Sequence, residues 1–316
     1  MTLDIATLLP AGIFGELTAQ QNVASGMSGA SVRAVTTSRG EFIVRIYHGD
    51  QATWQRTLAI HRQAAQSSIA PPLLHVDEAR QATVSQKITG TSFGAALAEP
   101  GSRQAAVASL VSVLAKLHAL PTSGLAPTAP MDFTRTLFAA QAQRAGFPAW
   151  AAPLGLRLVA IAQILAGDDT LVLSHGDLNP ANILWDGTRV WLVDWDAAGL
   201  CHPYLDLATI ANFLSLPDAT ATSLLAMQQR AAIDDDQQEI FRACRDLSRI
   251  AYASIFLHMI ADLGGISFAS RAQTPTLADC FGRLMKGELD MGSAAGQAQI
   301  AAAFFRQCEQ DGSPLQ

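Results

Sequence analysis

The stretch SHGDLNPANILWDGTRVWLVDWD runs from Ser174 to Asp196. It sets four aspartates, two asparagines and a histidine beside apolar segments. His175, Asp177 and Asn182 stand in the spacing H-x-D-x-x-x-x-N. Downstream, the apolar strand Val190 to Val193 ends at Asp194, and Asp196 follows two residues later.

The spacing matches the kinase catalytic loop, in which the aspartate accepts a hydroxyl proton and the asparagine binds Mg²⁺. Phosphoryl transfer asks for such groups. A carboxylate must stand near the attacking hydroxyl, and oxygen ligands must hold a metal that neutralises the phosphates. A loop closing against the strand ANILW presents both from one base. Mg²⁺ takes hard oxygen ligands, usually one or two of them carboxylates. Asp194 matches the metal aspartate, in D-W-D rather than D-F-G. Taken alone, the first motif also reads as a polar turn with Asx caps. The second motif, in the right order and on a strand end, favours the site.

Working outward, the first ninety residues read mainly as strands. ASVRAVTT and GEFIVRIYHG are β-rich, and the turn SRG between them predicts a hairpin. DQATWQRTLAIHRQAAQSS has helical spacing, with Trp54, Leu58 and Ile60 on an apolar side. PPLLHV and ATVSQKI read as two more strands, and TGTSFG as a hinge. GSRQAAVASLVSVLAKLHAL predicts a helix capped by Ser102 and stopped before Pro121. Helices near 132–145 and 154–166 follow, then the polar stretch with short strands. Beyond Pro203 the pattern is helical: 203–215, 218–232, 235–263, 275–287 and 293–309. The terminal EQDGSPLQ reads as a frayed tail.

Composition bounds the class. Of 316 residues, 49% are apolar and 15% charged, which suits a compact chain of two lobes and excludes disorder. A net charge of −6 argues against nucleic acid as partner. No Lys or Arg precedes Arg33, so a secretory n-region is not expected. The apolar run from Ile250 to Ala261 is too short for a bilayer and reads as a buried helix. Cys201, Cys244, Cys280 and Cys308 show no CxxC pairing, so reduced core thiols and a cytoplasmic setting are expected. The sequence carries no indication of oligomeric state.

LSHGDLNPANIL, VWLVDWDAAG and HPYLDLATI together resemble the aminoglycoside phosphotransferase and choline kinase superfamily, small-molecule kinases with a protein-kinase-like fold. SGMSGASVRAV resembles its nucleotide loop, FIVRIYHG its third strand and ITGTSFG its hinge exit. The C-terminal helices match only in general character. The resemblance implies an α+β, bilobal fold: a small β-rich N-lobe over residues 1–90 that binds nucleotide, and a larger, mostly helical lobe over 91–316 for catalysis and acceptor binding. It implies ATP or GTP with Mg²⁺, and a small-molecule hydroxyl acceptor, with no membrane partner. Asp177 is then the base, and Asn182 and Asp194 the metal ligands. Asp206 is a structural aspartate, or a plain helix-start residue favoured by the helix dipole.

The nucleotide side is less regular. Ser25, Gly26, Ser28 and Gly29 form a turn whose glycines let backbone N–H groups approach phosphates; taken without its context, the turn reads as a simple hairpin turn. Gln86 and Ile88 belong to the implied nucleotide set at the hinge. Arg45 stands where most kinases carry a lysine, and an arginine there has a planar fork in place of a point charge. An exposed strand arginine is the alternative. The helix glutamate that orients this cation is missing: its place falls near Thr57, and no acid occurs between Asp50 and Asp77. Arg45 is then held by Glu41 or a metal aspartate, or the chain is a non-catalytic nucleotide- or ligand-binding pseudokinase.

The acceptor side rests on charge and aromatic residues. Residues 1–90 hold seven Lys/Arg against six Asp/Glu, and residues 91–316 hold 14 against 21. An acidic large lobe attracts a cationic acceptor such as choline, ethanolamine, an amino sugar or an aminoglycoside. Asp196, Tyr204, Tyr252 and Asp262 are the acceptor-side candidates. Trp195, Tyr204, Tyr252 and Phe256 form an aromatic cage for an ammonium group or simply pack in the core. The run IDDDQQE reads as a helix start. His175 reads as a scaffold for the loop.

Overall fold

The computed structural model describes residues 4–23 and 30–308. Two compact units make up the chain: Met1–Leu125 with His175–Gly199, and Ala126–Ser174 with Leu200–Gln316. The expected tail at 309–316 lies outside the described residues.

The first unit opens on a 3-10 turn, Ile5–Leu8, capped by the Asp4 carboxylate, and the short helix α1 (Ala11–Phe14). Then come β1 (Leu17–Asn22), β2 (Ser31–Thr37), β3 (Gly40–Ile46), helix α2 (Gln51–Gln66), β4 (Leu73–Asp77) and β5 (Ala82–Gln86). The strands form an antiparallel sheet in the order β1-β2-β3-β5-β4. The expected hairpin is present, with Thr37 opposite Gly40.

Successive side chains on a strand point to opposite faces. Val44 and Ile46 of β3, with Val35, Ala82 and Val84, face a core shared with Ile5, Leu8 and Phe14. Ile43 and Arg45 therefore face the other way, as do Thr83 and Ser85 of β5. In the register Arg45 sits between Val32 and Thr83. Helix α2 starts at Asp50, whose carboxylate accepts from the Thr53 N–H at 2.9 Å.

The hinge segment adds β6 (Thr91–Ser92), α3 (Phe93–Ala98) and α4 (Pro100–His118). Ser92 caps α3 through the Ala95 N–H. A Cβ on Gly90 would lie 2.1 Å from the Trp185 carbonyl oxygen, so only glycine passes there. The expected cap at Ser102 is not found. Pro100 opens α4 two residues earlier, being suited to a first turn whose N–H is unbonded. The Ser102 hydroxyl instead donates to the Ala96 carbonyl at 2.8 Å.

Next are α5 (Pro130–Ala142), α6 (Leu154–Leu165), β7 (Val172–Ser174), β8 (Ile183–Trp185), β9 (Val190–Leu192) and β10 (Gly199–Cys201). Strands β8 and β9 join β6 in a sheet of the first unit, and β7 pairs with β10. The second unit continues as α7 (Tyr204–Phe213), α8 (Asp218–Gln229), α9 (Asp235–His258), α10 (Leu277–Met285) and α11 (Ala294–Cys308).

Helix α9 begins at the expected acidic run. Asp234 and Gln237 form a reciprocal capping box, with Asp235 and Asp236 in the first turn. Its buried face carries charge as well as apolar residues. Asp246 is 2% exposed and accepts from Arg157 at 2.7 Å and Arg249 at 3.0 Å. The four cysteines are buried, and none of them forms a disulfide among the described residues. Among the described residues no helix is long and apolar enough to cross a membrane.

Candidate active site

The loop HGDLNPAN folds on bonds of its own residues. Gly176 has φ +78°, and a Cβ there would lie 2.3 Å from the Ala197 carbonyl oxygen. The H-x-D turn thus requires glycine between its two functional residues. His175 is fully buried. Its Nε2 donates to the Val193 carbonyl at 3.0 Å, its Nδ1 faces the Asp177 N–H at 3.4 Å, and its ring packs 4.8 Å from that of Trp195. It ties the loop to the D-W-D segment, as a scaffold does.

Asp177 is half-buried. Its Oδ1 accepts from Asn179 and its Oδ2 from Asn182, both at 3.0 Å. The Asn182 amide donates a second bond, of 2.9 Å, to the Asp177 carbonyl. Asn179 also caps the short turn Pro180–Asn182, accepting from the Ala181 N–H. Both asparagines therefore aim the one aspartate.

Strand register brings the two motifs together. Ile183 lies opposite Leu192, and the next step is a 3.0 Å bond from the Val193 N–H to the Asn182 carbonyl. Asn182 and Asp194 leave this strand pair side by side. The hairpin between them turns on Asp186, which accepts from the Thr188 and Arg189 N–H groups and from the Trp191 indole. Of the four aspartates between Ser174 and Asp196, Asp186 is thus a turn residue.

Asp194 adopts the left-handed region at φ +70°. An L-residue is strained there, and such strain gathers at functional sites. Asp194 and Asp196 both bond one nitrogen of Arg45: Nη2 donates to Asp194 Oδ1 at 2.9 Å and to Asp196 Oδ2 at 2.6 Å. The missing helix acid is thus replaced by carboxylates of the D-W-D segment. Glu41, the other expected partner, pairs with Lys87 at 3.0 Å. Burial raises the Asp194 carboxyl above its ordinary value, the Arg45 guanidinium opposes the rise, and the Asp196 and Asp177 carboxylates add to it.

These residues border a cavity of about 460 Å³, within the range of small-ligand sites. Arg45, Gln86, Ile88, Asn182, Asp194 and Asp196 line it. Asp177 is not among its lining residues. Ser25, Gly26, Ser28 and Gly29 lie outside the described residues.

The sequence reading missed one wall. Trp54, Thr57, Leu58 and His61 of α2 face the cavity, together with Tyr47 and Trp195. The spacing 54, 57, 58, 61 is one helical face, and it held the signal. Trp54 and Leu58 read as core, and His61 as nothing in particular. Among the described residues, the buried Trp54 Nε1, Thr57 Oγ1, Trp195 Nε1 and Asp196 Oδ1 have no hydrogen-bond partner. All four residues line the cavity, and a cavity with orphaned polar atoms is built for polar contents. The His61 ring lies parallel to that of Trp195, with centroids 6.4 Å apart. Burial, and then the charge of Arg45, push His61 down to about 4.

The acceptor-side candidates have other surroundings. Within the second unit, Tyr204 is buried beside His202 and Phe241. Tyr252 packs edge-on against Phe213 at 4.7 Å and, with Phe256, against Phe304. Asp262 is exposed and accepts from the Gly265 N–H. Asp206 is 1% exposed in the first turn of α7. His202, 3.3 Å from Asp168, caps the Tyr204 N–H.

The donor set near Asn182 suits a hard divalent ion. Asn182 spends its amide hydrogens on Asp177, and its side-chain carbonyl is an oxygen donor. Asp194 supplies carboxylate oxygen. Among the described residues no group of three or more His, Cys, Asp or Glu forms a metal cage. Mg²⁺ commonly takes one or two carboxylates and completes its shell with phosphates and water, so the residues present fit that ion.

A loop that aims a carboxylate, bonded to a strand end that presents another, is how the kinase-like fold handles a phosphoryl group. The profile of the phosphotransferase enzyme family (APH) matches residues 19–244, and the chain belongs to that family. It is a small-molecule kinase. Solved structures share its fold. A choline/ethanolamine kinase family protein from Mesorhizobium loti is 19% identical, with a TM-score of 0.65, over 96% of this chain and 97% of that one. The choline kinase LicA from Streptococcus pneumoniae is 13% identical, with a TM-score of 0.63, over 92% and 94%. The spectinomycin phosphotransferase APH(9)-Ia, in complex with ADP and spectinomycin, is 15% identical, with a TM-score of 0.59, over 97% and 100%. No curated protein matches by sequence.

Proposed function

We propose that the protein moves the γ-phosphoryl group of ATP or GTP to a hydroxyl of a small, amine-bearing molecule. The observation that carries this reading is the bonded chain Asp177–Asn182–Val193, which holds the first motif against the second. Asp177 takes the hydroxyl proton or orients its oxygen. Asn182 and Asp194 hold Mg²⁺, which when bound neutralises phosphate charge. Arg45 faces the phosphates, and Gln86 and Ile88 lie toward the base. The acidic excess of residues 91–316 supports a cationic acceptor. The choline and ethanolamine kinases and the spectinomycin phosphotransferase among the similar structures act on amine-bearing compounds by name, which supports the same class.

The test is a coupled assay of ADP or GDP release with Mg·ATP and Mg·GTP. Choline, ethanolamine, thiamine, homoserine, amino sugars and aminoglycosides serve as acceptors. One of the cationic compounds should raise release well above the hydrolysis background. Release raised above background by none of these compounds would remove the amine-bearing acceptor.

A further inference from the structure

Helix α2 carries no acid. From Gln51 to Gln66 it reads QATWQRTLAIHRQAAQ, and its cavity face offers Trp54, Thr57, Leu58 and His61. No carboxylate of this helix can hold the Arg45 cation. Arg45 is nevertheless held: its Nη2 bonds two aspartates two residues apart. Asp194 and Asp196 each turn a carboxylate oxygen to Arg45, and Trp195 between them is 3% exposed, its ring beside those of His175 and His61.

The two aspartates are not equivalent. Asp194 lies beside Asn182 at the strand end, where the proposed reaction requires a metal ligand. A carboxylate that shares its charge with a divalent ion holds a guanidinium less strongly. Asp196 has the shorter bond, at 2.6 Å, and among the described residues Arg45 is its only side-chain partner. Its other oxygen, Oδ1, is buried with no hydrogen-bond partner among the described residues.

We infer that Asp196 is the positioning residue for Arg45, supplying from the D-W-D segment the carboxylate that α2 lacks. It keeps the guanidinium aimed into the nucleotide cavity while Asp194 serves the metal. The inference rests on the phosphotransferase reading of this cavity. Thr57 makes it testable, because its buried hydroxyl has no partner among the described residues and borders the same cavity as Arg45. A glutamate there returns a carboxylate to the helix.

The experiment is calorimetric titration with Mg·ATP and with metal-free ATP. The proteins are the parent chain, Asp196→Asn, Asp196→Glu, Arg45→Ala and Asp196→Asn combined with Thr57→Glu. Melting temperature serves as the folding control. Asp196→Asn should weaken both forms of ATP about tenfold, the scale of losing one partner of a close charge pair. Asp196→Glu should stay within about threefold of the parent, and the double variant should recover most of the loss. A double variant no better than Asp196→Asn overturns the inference. So does a loss confined to Mg·ATP, which makes Asp196 a metal ligand. If Asp196→Asn fails to fold, an Asp196→Glu variant that binds ATP as weakly as Arg45→Ala overturns it as well. A parent chain that binds neither form of ATP fails at the earlier step, the nucleotide site itself.

Discussion

The Asn182 amide donates to two oxygens of Asp177, its carbonyl at 2.9 Å and its carboxylate Oδ2 at 3.0 Å. One residue thus fixes both the backbone and the side chain of the proposed base. The remaining carboxylate oxygen accepts from Asn179 at 3.0 Å. An aspartate suits this setting because it only accepts, and two amides only need to give.

Replacing that carboxylate isolates its chemistry. Asp177→Asn keeps the size of the side chain and removes the proton acceptor. Turnover should fall by about 10²–10⁴, the usual range of general-base assistance. The Kd for Mg·ATP should change little, since Asp177 does not line the cavity. Steady-state kinetics and titration calorimetry on the same preparation check the pair of outcomes. An unchanged kcat removes Asp177 from the role.

His61 gives the first unit an acid-sensitive element. In the folded chain it titrates at about 4, against 6.5 for the free group. As pH falls below 6.5, the unfolded chain takes the proton first. Stability present above pH 6.5 is therefore lost progressively toward pH 4, and the loss levels off below that. Its ceiling is roughly 3 kcal/mol, reduced by the solvent that reaches this half-buried ring. His61→Phe keeps the ring beside Trp195 and removes the titration. Urea unfolding at pH 7 and pH 4.5 should show a smaller drop for the variant than for the parent. Equal drops place the acid sensitivity elsewhere.

Asp246 is the anchor of the second unit. Its carboxylate sits between Arg157 and Arg249, and Arg249 is itself 1% exposed. Burial raises the Asp246 carboxyl, against the opposing pull of Arg249 and Arg157. Asp246→Ala leaves two arginines without their shared partner and should cost about 3–5 kcal/mol, the scale of a broken buried pair. The triple change Arg157→Met, Asp246→Leu, Arg249→Met removes all the charges and should recover much of that loss. Urea midpoints distinguish the two. A single variant as stable as the parent shows that the pair contributes nothing.

Much of this was legible before any coordinates. The hairpin around Ser38, the α2 helix from Asp50 and the α9 cap at Asp234 follow from turn residues, capping side chains and periodicity. Each is a local rule acting within a few residues. The edge strand Leu17–Asn22 escaped notice because LTAQQN lies mostly exposed and shows no apolar alternation. The Ser102 cap was misread because Pro100 opens the helix first. Asp246 and its arginines gave no signal either, since charges on a helix read as solvent-facing until their neighbours are known.

The sequence by itself determined the order of the parts: strands, then helices, with H-x-D-x-x-x-x-N and D-W-D in between. That much is local, because spacing along the chain sets which groups one loop or one strand end can present. Only the tertiary structure decided what holds Arg45. Its partners lie 149 and 151 residues further along the chain, and nothing in a strand's own pattern tells which distant carboxylates will meet it. The same is true of the α2 wall, where a face that reads as core turns out to border a cavity. Packing across the fold, not periodicity, decides whether an apolar stripe meets protein or space.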